Sequence, residues 1–152
     1  MKSTFKITLL MFAFIPVLLT GCESLFDKGD VEKTYDGPSV VEFFPLSRTV
    51  TLSNTASTSV GIQLIGPQRS SDVAIAYSVD ATSTAVAGTH YTITTPSPVT
   101  LAANSSTVPV TITLIAGSVP AGQERRLILN LEGADGLAPA ENLKRATIFI
   151  RP

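Results

Sequence analysis

The chain has 152 residues, of which 15% are charged, with 11 basic against 12 acidic side chains and a formal charge of −1. This near-neutral balance, without a run of Lys and Arg, excludes the electrostatic footprint that nucleic-acid binding requires. The single cysteine excludes a disulfide within one chain.

Lys2 and Lys6 precede a run from Ile7 to Leu19 that is almost wholly apolar. A positive start, an apolar stretch and then small residues form the layout of an export signal. A membrane-spanning helix needs about 20 apolar residues, whereas this run has 13, contains Pro16 and ends at Thr20-Gly21. Cleavage is therefore expected rather than permanent spanning. Leu19-Thr20-Gly21-Cys22 resembles the lipobox of bacterial lipoproteins, because it supplies a thiol for a diacylglyceryl group where an ordinary cleavage site needs only small residues. The resemblance implies processing before Cys22 and a covalent lipid on that residue. A single acyl chain binds a bilayer only marginally, at about 0.8 kcal/mol per buried methylene, whereas two or three chains hold stably. The implied location is the cell envelope, most simply the outer membrane, with the protein anchored through lipid.

Removing residues 1–21 leaves about 131 residues and moves the formal charge to about −3, since Lys2 and Lys6 leave with the signal. That length suits one domain. Residues 23–37 (ESLFDKGDVEKTYDG) hold five acids, two lysines and two glycines without apolar periodicity, the composition of a solvated tether. Glu23 and Asp27 loosely resemble the acidic surface-export signal that follows the acylated cysteine in some Bacteroidota-type lipoproteins, and a plain charged spacer is an equal alternative. The expected organisation is a signal at 1–21, an acylated Cys and tether at 22–37, and a folded domain at 38–152.

From Ser39 onward, short runs rich in Val, Ile, Thr and Tyr alternate with Gly, Pro, Asn and Ser clusters. This pattern predicts an antiparallel β-sandwich of about seven to nine strands. The segments are Val40 to Pro45, Thr49 to Ser53, Ser59 to Ile65, Val73 to Val79, Tyr91 to Thr94, Val99 to Ala102, Thr107 to Ile115, Arg125 to Leu131 and Arg145 to Ile150. Side chains two apart share a face, so three sets read as core: Val73, Ile75, Tyr77 and Val79; Val108, Val110, Ile112 and Leu114; and Leu127, Leu129 and Leu131. The residues between them are mostly small or polar, as for a sheet whose other face meets water. Phe43, Phe44, Tyr77 and Tyr91 are expected to be mainly buried. Turns are expected at Gly66-Pro67, Ala87-Gly88, Pro96-Ser97-Pro98, Ala103-Asn104 and Pro120-Ala121-Gly122, where Gly and Pro supply angles that strands reject. Asn104-Ser105-Ser106 matches a glycosylation pattern but reads as a turn in a bacterial lipoprotein.

Three passages together resemble the Calx-beta type of immunoglobulin-like domain. They are Tyr77-Ser78-Val79-Asp80 with Thr84 through Tyr91, Val99-Thr100-Leu101 through Val108-Pro109-Val110-Thr111-Ile112, and Gln123-Glu124-Arg125 through Leu131 followed by Ala146 to Ile150. Their order spans residues 40–150. With the lipobox, the chain resembles small Calx-beta-like lipoproteins of Bacteroidota that have no known function.

Calcium-binding members of that family gather carboxylates at one end of the sandwich, because Ca²⁺ takes six to eight oxygen ligands with sufficient negative charge. This chain departs from the pattern: His90 stands where Asp usually precedes Tyr91, and the last strand ends in Arg151-Pro152 rather than an acidic pair. Glu42, Asp80 and Glu124 remain as weak metal candidates, and three such acids read more naturally as solvated loop residues. His90, the only histidine, is expected to bond its own loop backbone, since no nucleophile motif accompanies it. No catalytic residue is assigned and no cofactor is expected beyond the lipid on Cys22. The expected function is a non-enzymatic β-sandwich presented from the membrane to an envelope protein or glycan. The alternatives are a calcium-stabilised adhesion module, a glycan-binding accessory lipoprotein of a polysaccharide-uptake system and, last, an envelope hydrolase.

Overall fold

The computed structural model describes residues 35–134 and 136–152, which form a compact unit from Tyr35 to Pro152. Cys22, the lipobox and residues 23–34 lie outside the described residues. Ten strands follow in order: β1 (Val40–Phe44), β2 (Ser47–Thr51), β3 (Ser57–Ile65), β4 (Val73–Val79), β5 (Tyr91–Ile93), β6 (Val99–Leu101), β7 (Thr107–Leu114), β8 (Arg125–Gly133), β9 (Ala138–Pro139) and β10 (Arg145–Arg151). They build two sheets, ordered β5-β7-β3-β1-β9 and β2-β10-β8-β4-β6. The expected β-sandwich is therefore observed, with parallel pairings of β1 with β9 and β2 with β10 beside the antiparallel ones.

Alternation creates the core. In the first sheet Val41 lies opposite Leu64, Phe43 opposite Ile62 and Val60 opposite Val110, all buried, while Glu42 faces Gln63 on the outer side. In the second, Leu127, Leu129 and Leu131 of β8 face inward with Ala146, Ile148 and Ile150 of β10. Each fully buried Leu, Ile or Phe contributes about 1.5–3 kcal/mol, so a one-residue slip of β8 would forfeit three leucines at once.

Two positions depart from the sequence expectation, and a third, Ile128, breaks the alternation of β8. Val79 is 40% exposed, because β6 pairs only with Val73 to Ile75 and leaves Val79 with β8 on one flank and no strand on the other. Phe44 is 65% exposed instead of buried, since it alternates with Phe43 and so takes the outer face, opposite Gly61. Ile128 is buried although it lies on the outer face of β8. The segment after β4 runs along β8 there: Asp80 N–H donates to the Ile128 carbonyl, and the Ser83 and Thr84 hydroxyls accept from the amides of Ile128 and Arg126. Two hydroxyls thus replace ladder acceptors where β4 has ended.

The strand β9 has no counterpart in the sequence expectation. The chain leaves β8 at Gly133, turns through a mutual backbone pair between Ala134 and Leu137, and joins β1 in the other sheet. Leu137 is buried against the core at that turn.

The two ends of the sandwich differ in role. The chain enters at Val40, which pairs with Ile65 and Ala138 beside the turn around Asn104. At the entry, Tyr35 Oη donates to the Pro38 carbonyl at 2.9 Å. The segments 52–56, 80–90 and 115–124 gather at the opposite end, where β2 and β10 finish and β8 begins. Nine residues of β3 separate the two ends, a span of about 30 Å.

Candidate functional site

The three acidic candidates occupy three different settings. Glu42 stands on the outer face of β1 in the first sheet. Asp80 follows β4 in the second sheet, and Glu124 precedes β8 at the loop-bearing end. Among the described residues, no three His, Cys, Asp or Glu side chains come together to hold a metal ion.

Asp80 is 16% exposed and saturated with donors. Oδ1 accepts from the Thr82 amide at 2.8 Å and the Thr82 hydroxyl at 2.5 Å, and Oδ2 accepts from Asn130 Nδ2 at 2.9 Å. Arg145 Nη2 lies 3.3 Å from Oδ2 and also donates to Thr82 Oγ1 at 3.1 Å. The sequence builds this ring locally: the Asp80-Ala81-Thr82 spacing suits a side chain that caps the amide two residues on, and Asn130 of β8 lies directly opposite Arg145 of β10.

The Thr82 hydroxyl, then Asn130, then the Thr82 amide and finally the Arg145 charge hold the Asp80 carboxyl down to about 2. A carboxyl lowered in the folded state contributes stability that is complete above its ordinary value near 4 and is lost as pH falls through the folded value. The melting temperature is accordingly expected to fall between about pH 4 and 2. Asp80→Asn should flatten that part of the acid limb in a pH series of thermal melts, and superimposable limbs would refute the assignment.

His90 sits at the start of β5 and is largely buried. Its Nδ1 accepts from the Val86 amide at 2.9 Å, and its own amide donates to the Val86 carbonyl at 2.9 Å. An imidazole that accepts at Nδ1 carries its proton on Nε2, so the ring closes the loop before β5, as the sequence suggested. Tyr77 and Tyr91 are buried with hydroxyl pKa values raised by desolvation, and Tyr77 donates to the Thr95 carbonyl. Asn104 adopts φ 58° in the expected turn.

A shallow, open depression of about 520 Å³ lies at the loop-bearing end, lined by Thr51, Gly122, Gln123, Glu124, Arg151 and Pro152. Glu124 Oε2 accepts from Arg151 Nε there at 2.7 Å. The lining contains a paired acid and base and one hydroxyl, and His90 is not part of it. The sequence marks Glu124 and the Arg151 terminus separately, and their adjacency arises only from the pairing of Ile150 with Arg125.

The architecture is an immunoglobulin-like β-sandwich with a Calx-beta-like fold. The chain superposes on the apo form of the Calx CBD1 domain with a TM-score of 0.61 and 19% identity, covering 76% of this chain and 97% of that one. It also matches CBD12 from CALX1.2 and the calcium binding domain CBD12 of CALX1.1, each with a TM-score of 0.59 and 19% identity. Those two matches cover 74% and 73% of this chain and 43% of each of the others, so the chain spans less than half their length. No family model and no curated protein matches it. No helix among the described residues is long and apolar enough to cross a membrane.

Proposed function

We propose that this chain is a lipid-anchored protein of the bacterial cell envelope, most simply of the outer membrane, whose Calx-beta-like sandwich is a non-enzymatic binding or structural module. One observation carries it: the lipobox ending at Cys22 and the charged segment after it precede a domain that the chain enters at one end while the long loops gather at the other. Such an anchor would present the folded domain from the membrane to an envelope protein or glycan. The engagement of His90 by backbone supports a binding module over a hydrolase.

The test is metabolic labelling with a radioactive fatty acid in a bacterial host, followed by membrane fractionation. The wild-type chain should incorporate label and sediment with the outer membrane, and Cys22→Ser should lose both properties. An unlabelled wild-type chain would sink the anchor. The exposed Phe44 ring, on an outer face that also carries Ser59, Pro109 and Thr111, favours a second reading as a glycan-binding accessory lipoprotein. Retention of envelope polysaccharide on the immobilised mature chain would select it.

A further inference from the structure

One of the fold neighbours is a calcium binding domain, which raises the question whether the acids here suit that ion. A Ca²⁺ site needs several carboxylate oxygens free to converge. At Asp80, Oδ1 is taken by two Thr82 donors and Oδ2 by Asn130, with a guanidinium 3.3 Å away. At Glu124, Oε2 is already bonded to Arg151, and Glu42 lies on the other sheet. These residues do not fit calcium.

We infer that the guanidinium of Arg145 is a built-in cation, held by β10 against Asp80 and Thr82, and that it joins β4, β8 and β10 without a divalent metal. The geometry is specific. Thr82 Oγ1 donates to Asp80 and accepts from the same Arg145 nitrogen that faces Asp80 Oδ2, so Asp80, Thr82 and Arg145 form a closed ring, and Asn130 fastens it to β8. A divalent ion placed on Asp80 would have to displace both a covalently supplied cation and a hydroxyl donor. The ring also positions the start of the segment whose Ser83 and Thr84 hydroxyls cap the β8 amides.

Thermal melting of the detergent-solubilised full chain in millimolar calcium and in excess chelator tests the inference. The wild-type melting temperature should be the same in both. Arg145→Ala should melt about 2–5 °C lower, whereas Arg145→Lys, which keeps a charge, should recover part of that loss. In a double-mutant cycle, Asp80→Asn and Arg145→Ala should be less than additive, because each removes one member of the same ring. A calcium-dependent rise in the wild-type melting temperature would overturn the inference, since a ligand of the folded state must raise it. So would an Arg145→Ala chain that melts at the wild-type temperature, or strict additivity of the two changes.

Discussion

Phe43→Ala is expected to lower the stability of the domain by about 3–5 kcal/mol, the range for removing a buried aromatic ring. The ring is among the largest fully buried side chains and lies opposite Ile62 on the inner face of β1. Its loss removes transfer free energy and leaves a cavity that neighbours fill only partly. The position also has leverage. The strand β1 is five residues long and packs across the core toward β8 and β10, and the Phe43 amide holds the Leu143 carbonyl at 2.9 Å. A domain of this size has a total stability of about 5–15 kcal/mol, so the change consumes a large fraction of it. Urea unfolding followed by far-ultraviolet circular dichroism checks this, since the chain has no tryptophan. A loss below about 1 kcal/mol would contradict the packing described. Phe44→Ala, one residue along on the exposed face, is the matched control and should change stability by no more than about 0.5 kcal/mol.

Gly133→Ala is expected to cost about 2–4 kcal/mol, through backbone strain and collision together. The residue has φ 86°, and a Cβ there would lie 2.6 Å from the Leu137 carbonyl oxygen and 3.0 Å from Pro139 Cδ. The first obstacle is backbone and the second a rigid ring, so neither can swing aside. Relief would require moving β9 off β1 and uncovering Leu137. Gly136 provides the contrast, with φ 65° and nothing within 4 Å of the added atom. Gly136→Ala should therefore carry only the conformational cost of about 1–2 kcal/mol. Denaturant midpoints of the two variants give the comparison. Equal losses would mean that the close approach at Gly133 is not a determinant of the fold.

These two positions show where the sequence was legible and where it was not. Strands β7 and β8 are legible directly, because Val110, Ile112 and Leu114, like Leu127, Leu129 and Leu131, recur at every second position and are buried, with Val108 partly buried and Ile128 covered from the outer face. The same rule applied to Phe43-Phe44 could not say which ring faces in, since two adjacent aromatics satisfy either phase. The pairing of Phe43 with Ile62 decides it. Strand β9 escaped because Ala138-Pro139 is too short to show a period and reads as loop composition. Alternation places Val79 inward because it predicts the face but not the end of cover along a strand.

The candidate site was legible to a different degree. Asp80, Glu124, Arg151 and His90 all stand out as residue types, and the His90 loop closure is legible locally, whereas the Asp80–Thr82 contact, two residues apart, is hidden by the reading of Asp80 as a solvated loop acid. The partners Asn130 and Arg145 lie 50 and 65 positions beyond Asp80 in the numbering. Nothing local marks them, since they meet only through the registers of β4 with β8 and of β8 with β10.

The place where β1 ends has a bearing on how copies of this molecule behave when crowded. Beyond Phe44, the flank of β3 from Ser57 to Val60 has no strand beside it, and Arg48 extends from β2 to donate to the Ser59 carbonyl at 3.2 Å. On the far side of β1, the added strand finishes in Pro139, which has no amide to offer. Open strand flanks are templates for pairing with a neighbouring chain, and charged side chains and proline blunt them. A guanidinium at one gap and a proline at the other therefore blunt these two flanks of the first sheet against pairing with a neighbouring chain.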